Sequence, residues 1–283
     1  MIGMAEARNA FNRVPSDLKQ LSTVVKYTML DYVRSRKFYL LLTISVLISA
    51  LLTFIVGYYR PVGFLSSPLS FYSGWWGSMA TLVIILSGIF FGGDAISGEF
   101  QNKTGYFSVP NPVKRSTVYI GKLLSAFIAS ATILAVFAAI AVGNGLYYFS
   151  AVPVEFWMSF AFALVYLAAV LGLTFLFSSL FKSSTMAIVV TAILLLFAFG
   201  IIQTFVASYA QIEPWFILTY GAQIIGNILS SPYPVHVQTI ILGQGAFTYT
   251  VFNATVAEGL AIMSSYFVVT AILGLLLFNR SEF

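Results

Sequence analysis

The chain has 283 residues, 59% of them hydrophobic and only 8% charged, where a soluble globular domain carries about 25% charged residues. That balance describes a membrane protein, and the absence of cysteine excludes disulfides, thiolate catalysis and cysteine-built metal sites. A single histidine, His236, is too few for a histidine-built metal cluster, and the net charge of +5 takes its meaning from where the charges lie.

Residues 1–37 are rich in charge and contain neither the apolar core nor the small-residue cleavage site of a secretion signal. Ser16, behind Pro15, suits a helix N-cap. Leu18, Leu21, Val25, Met29 and Tyr32 then recur at three- and four-residue steps, with Lys19, Lys26 and Arg34 off that stripe. The pattern predicts a basic amphipathic helix on the inner membrane surface, either an anchor alone or an anchor also touched by a cytoplasmic partner.

A helix of about 20 apolar residues crosses the hydrocarbon core. Six segments qualify: 38–59, 71–93, 122–147, 156–180, 185–208 and 260–278, with no Asp, Glu, Lys or Arg in their interiors. The reading is an all-α integral membrane protein, with residues 1–37 as a cytoplasmic N-terminus and 38–283 as one six-helix transmembrane domain. An even number of spans puts both termini on one side. With that side cytoplasmic, thirteen of the fourteen basic residues fall inside and only Arg60 outside. A multi-pass plasma-membrane protein with both termini cytoplasmic is therefore expected, its basic charge facing anionic lipid rather than nucleic acid.

Within the second span, Gly88 and Gly92 form a G-x-x-x-G pair that permits close helix contact, inside the chain or at a dimer seam. Trp75, Trp76, Trp157 and Trp215 fall near external boundaries and read as an interfacial belt.

The second and third spans are joined by the most polar stretch of the chain. Gly92 and Gly93 weaken the end of the second span, and Asp94 follows at the inner interface, where a carboxylate needs a partner. Residues 95–100 can continue as helix, with Glu99 placed four residues before Lys103 for a surface pair. Gly105 can stop that segment, and Pro110 and Pro112 force an extended passage. Ser116 and Thr117 then offer caps for the helix that carries Gly121 and Lys122 into the third span. The result is either a short, stiff helix projecting from the inner face or an ordinary solvated loop.

The external connection, 209–259, holds no Lys or Arg, three prolines (Pro214, Pro232 and Pro234) and the apolar run IILGQGAFTYTVF. Short re-entrant or interfacial helices suit it better than an exposed loop. Asn253-Ala-Thr255 is a glycosylation sequon on this side, whereas Asn102-Lys-Thr104 lies inside. Uncharged span interiors weigh against an ion-coupled carrier, which needs titratable groups at mid-membrane. His236, with Glu213 and Glu258 at the membrane margins, makes no convincing hydrolase set, so no enzyme activity is expected on this chain.

The run DAISGEFQNKTGYFSVPNPVKRSTVYIGKLLSA, residues 94–126, resembles the segment after the second span in permease subunits of ABC transporters of the type-two exporter class. The matching positions are Asp94, Ile96, Ser97, Glu99, Lys103, Thr104, Pro112, Val113, Arg115, Gly121 and Lys122. Elsewhere the resemblance is architectural: six spans, an interfacial helix before the first, and a large external connection before the sixth. The resemblance implies a permease half that pairs with a second copy or a related chain. It also implies separate cytoplasmic ATPase subunits that grip a coupling helix, here Glu99, Phe100, Gln101, Asn102, Lys103, Thr104, Gly105 and Tyr106. Asp94, Pro112, Arg115, Gly121 and Lys122 would then be structural at the inner interface. The chain contains no G-x-x-x-x-G-K-[ST] phosphate cradle, so ATP and Mg belong to the partner and no cofactor to this chain. Two other roles fit the same architecture: an ATP-driven mechanical unit acting on an external partner, and an ATP-independent channel or carrier. A path lined by aromatic, aliphatic and hydroxyl groups suits lipid-like, peptide or hydrophobic drug-like cargo better than small ions.

Overall fold

In the computed structural model, residues 16–101, 114–242 and 247–280 are described. Six helices are long and apolar enough to cross a bilayer: span 1 (Arg36–Tyr59), span 2 (Pro68–Gln101), span 3 (Arg115–Phe149), span 4 (Val154–Leu180), span 5 (Ser184–Ala210) and span 6 (Val256–Arg280). Each contains the corresponding apolar segment read from the sequence and runs past it, because hydropathy stops at the first charges while backbone hydrogen bonding does not. Span 3, with 35 residues, is about 50 Å long at 1.5 Å per residue. It therefore carries Arg115 to Lys122 beyond the hydrocarbon layer.

Ahead of span 1 lies the N-terminal helix Asp17–Arg34. Ser35 separates the two. Its hydroxyl donates to Tyr32 O at 2.7 Å and accepts from Phe38 N at 3.3 Å, so one side chain ends the first helix and caps the next.

Spans 2 and 4 form the centre. In their most apolar stretches 67% and 56% of residues are buried, against 17% in spans 5 and 6. Small residues set the central spacing. A Cβ on Gly88 would lie 2.5 Å from Val170 Cγ1, and one on Gly92 would collide with Thr174. The G-x-x-x-G pair is thus an intramolecular seam between spans 2 and 4.

Two of the four tryptophans depart from the expected belt. Trp75 and Trp76 are fully buried, because a π-helical turn, Ser73–Gly77, directs both toward Phe137 and the neighbouring rings. Trp76 Nε1 donates to Ser159 Oγ at 2.9 Å, and that hydroxyl donates to Ile225 O at 2.5 Å. For Trp76, burial satisfied by a hydrogen bond replaces the interfacial role, whereas Trp75 Nε1 is buried without a hydrogen-bond partner. Trp157 and Trp215 remain exposed, at 55% and 64%.

The connection between spans 5 and 6 contains the short helices Leu218–Ala222 and Ile224–Asn227. Beyond them the chain forms an antiparallel hairpin, β1 (Val237–Leu242) and β2 (Phe247–Phe252), with Val237 opposite Phe252. The helical expectation for this connection does not extend to the hairpin. The sequence FTYTVF alternates aromatic or aliphatic residues with threonine, a period-two, β-branched pattern that favours strand over helix.

Candidate coupling site

The basic end of the molecule gathers the residues singled out between spans 2 and 3. The α-helix of span 2 runs from Ser78 to Gly92, passes through a turn at 93–96, and resumes as Ser97–Gln101. A turn inside the bundle exposes backbone donors that need acceptors. Ser178, near the end of span 4, supplies one: Ile96 N and Ser97 N each donate to its Oγ at 3.0 Å, with both residues fully buried. A serine from a different helix thus does the work of an N-cap. Leaving such a buried donor unpaired costs about 1–3 kcal/mol.

Charge holds the turn from two further sides. Asp94 is paired with Lys37 of span 1. Lys122, on span 3, donates to Ala95 O at 2.8 Å and pairs with Glu99 at 2.6 Å. Only 17% of the Lys122 side chain and 16% of Glu99 are exposed, which makes this the mostly buried ion pair of the site. Gln101 completes the contacts by accepting from Ser184 N, at the start of span 5, at 2.9 Å. The segment 94–101 is therefore tied by side chains to spans 1, 3, 4 and 5 at once.

The N-terminal helix lies against the same region. Gly121 permits the approach, since a Cβ there would sit 2.6 Å from Val24 Cγ1. Ser125 Oγ reaches Val25 O at 3.3 Å, and Tyr32 OH donates to Phe91 O at 3.0 Å. Burial, then the nearby Asp94 and Asp31 carboxylates, push the Tyr32 phenol well above its ordinary pKa, so it stays a neutral donor. Lys114 pairs with Asp17 at 2.8 Å, but both side chains are about two-thirds exposed (67% and 64%), and such pairs contribute at most about 1 kcal/mol. Arg115 Nη1 donates to Asn279 O at 3.3 Å. A cation there complements the carbonyl end of span 6.

Of the residues marked in the sequence, Asp94, Glu99, Phe100, Gln101, Arg115, Gly121 and Lys122 converge here. Asn102, Lys103, Thr104, Gly105, Tyr106 and Pro112 lie outside the described residues. Glu99 does not point away as a surface residue would: it pairs with Lys122 of span 3, while the short helix that carries it packs on spans 4 and 5. The sequence does not mark Lys37, Ser178 or Ser184 for this site, and it marks Tyr32 only as part of an apolar stripe. Lys37 had a signal, as a lysine at the head of span 1 sits at the depth of Asp94, whereas Ser178 looked like any hydroxyl closing an apolar run.

At the opposite end, Asn253 sits where β2 runs into span 6. Its side chain donates to Val235 O at 2.8 Å and its backbone N–H to His236 O at 2.8 Å. His236 itself meets Glu213 and Glu258, a set of groups able to ligate a metal ion.

Six apolar spans packed around a polar clamp at one end define a multi-pass membrane protein. The chain belongs to the ABC-2 family of transporter proteins, whose family model matches residues 22–283, and it is a membrane-transport permease. That match begins inside the N-terminal helix. No curated protein matches the chain.

Proposed function

We propose that this permease is one half of an exporter driven by separate ATPase subunits, which grip it at residues 99–106 on the cytoplasmic side of the plasma membrane. The observation that carries the reading is the clamp. A segment tied to Lys37, Lys122, Ser178 and Ser184 moves only if spans 1, 3, 4 and 5 move with it. Force applied beyond Gln101 is then delivered to four helices rather than absorbed in a loop. In this scheme ATP and Mg bind the partner, whose closure pushes on the segment and rocks the spans, and this chain contributes no catalytic group. The sparsely buried faces of spans 5 and 6 leave room for a second copy or a related permease, with the cargo path between them. Cargo of lipid-like, peptide or hydrophobic drug-like character fits an interior without formal charges.

The test is affinity capture of the chain from membranes cross-linked before solubilisation, with Lys103→Glu and Tyr106→Ala as variants. The reading expects a soluble P-loop ATPase in near-equal amount, reduced in the variants. Capture of membrane proteins alone would remove the ATP-driven assignment and favour a channel or carrier.

A further inference from the structure

The only histidine of the chain lies between two carboxylates that come from distant parts of the sequence. Glu213 follows span 5, His236 immediately precedes β1, and Glu258 is in the first turn of span 6. His236 Nε2 is 3.6 Å from Glu213 Oε2, and Nδ1 is 3.8 Å from Glu258 Oε2. One ligand atom from each residue lies within 4.8 Å of those of the other two.

Each of these side chains is held by a second group. His236 Nδ1 is 2.9 Å from Asn253 O. A carbonyl can only accept, so Nδ1 carries a proton, and Nε2 is the nitrogen that faces Glu213. Tyr220 OH donates to Glu213 Oε1 at 2.7 Å, which leaves Oε2 turned to the imidazole. Thr255 N donates to Glu258 Oε2 at 2.9 Å, and Glu258 N is 3.4 Å from Thr255 Oγ1, a capping box that fixes Glu258 at the head of span 6. A histidine oriented through its other nitrogen by a carbonyl, and carboxylates that are themselves hydrogen-bonded, are the arrangement by which proteins support metal ligands.

Charge points the same way. No Lys or Arg occurs between Lys182 and Arg280, so two carboxylates share this corner without a permanently cationic side chain from the segment that bears them. A divalent cation would neutralise both. Imidazole nitrogen with carboxylate oxygen suits Zn2+ and similar first-row ions.

We propose that Glu213, His236 and Glu258 form a divalent-metal site, of the zinc class, that pins the foot of the hairpin to the head of span 6 and to the segment leaving span 5. Ligand atoms around tetrahedral Zn2+ stand ~3.3 Å apart, given bonds of about 2.0–2.1 Å. Closure brings the Glu213 and Glu258 oxygens, now 3.6 and 3.8 Å from the imidazole nitrogens, onto the ion, and the two side chains are 28% and 39% exposed. The remaining coordination position is left to water or to an external group.

The chain makes a direct test possible, because any imidazole bound to metal must be His236. The full-length protein, purified through a histidine-free tag and stripped with chelator, is equilibrated with ZnCl2 and dialysed. Metal content and zinc-edge X-ray absorption are then measured. The site predicts about one Zn2+ per chain, a mixed shell of one imidazole and oxygen ligands, and affinity weakened at least about tenfold in both His236→Ala and Glu213→Gln. Glu213→Gln keeps an acceptor for Tyr220, so it reports on ligation if the alanine variant fails to fold. Three outcomes would overturn the site: no retained zinc, zinc with an oxygen-only shell, or zinc bound equally well by Glu213→Gln.

Discussion

Lys122 illustrates how far a single residue can be read before its neighbours are known. Its place at the head of span 3 was evident from charge and hydropathy, and its assignment to the inner interface followed. Its partner was not evident, because Glu99 had a suitable lysine four residues away in sequence and none of the local rules weighs a side chain arriving from another helix. The burial of the pair makes it testable. Lys122→Met should strand the Glu99 carboxylate and cost about 3–5 kcal/mol, as breaking one side of a buried ion pair does. Thermal unfolding in detergent would show it, and adding Glu99→Gln should restore part of the loss. Ser178 is a subtler case. Ser178→Ala removes the acceptor shared by Ile96 and Ser97, with an expected cost of about 1–3 kcal/mol confined to the turn. Hydrogen exchange in nanodiscs should speed at those two amides, and slow exchange should persist in Ser78–Gly92.

At the scale of elements, the six spans were legible because apolar runs uninterrupted by charge admit few alternatives. The N-terminal helix was legible from its periodic stripe, but its docking was not. Leu21 and Val24 lie against Gly121 of span 3, whereas Leu18 is 78% exposed, so part of the apolar face serves protein contact. Gly121 makes that contact possible. Gly121→Val should push Val24 and Leu21 away and loosen the helix, and trypsin should then cut after Lys26 sooner while the spans stay protected. The hairpin between spans 5 and 6 is not legible from overall apolarity, because only the alternation in FTYTVF marks it. The buried tryptophans were missed for a different reason: a π-helical turn changes which way successive side chains point, and nothing in the local composition announces one.

Across the whole molecule, the arrangement has a packed centre, spans 2 and 4, and a sparsely buried periphery, spans 5 and 6. That gradient suits a protein completed by another chain in the bilayer. One end gathers basic residues, the N-terminal helix, the end of span 6 and the clamp. The other holds Trp157, Trp215 and the histidine with its two glutamates. The permease class follows from the spans and the family. The proposed coupling role rests on the clamp, which ties residues 94–101 to four helices. The most direct test is site-specific photo-cross-linking from position 106 in native membranes, with and without ATP. The account predicts an adduct with a soluble P-loop ATPase whose yield changes with nucleotide. Adducts confined to lipid or membrane proteins, unchanged by ATP, would contradict it.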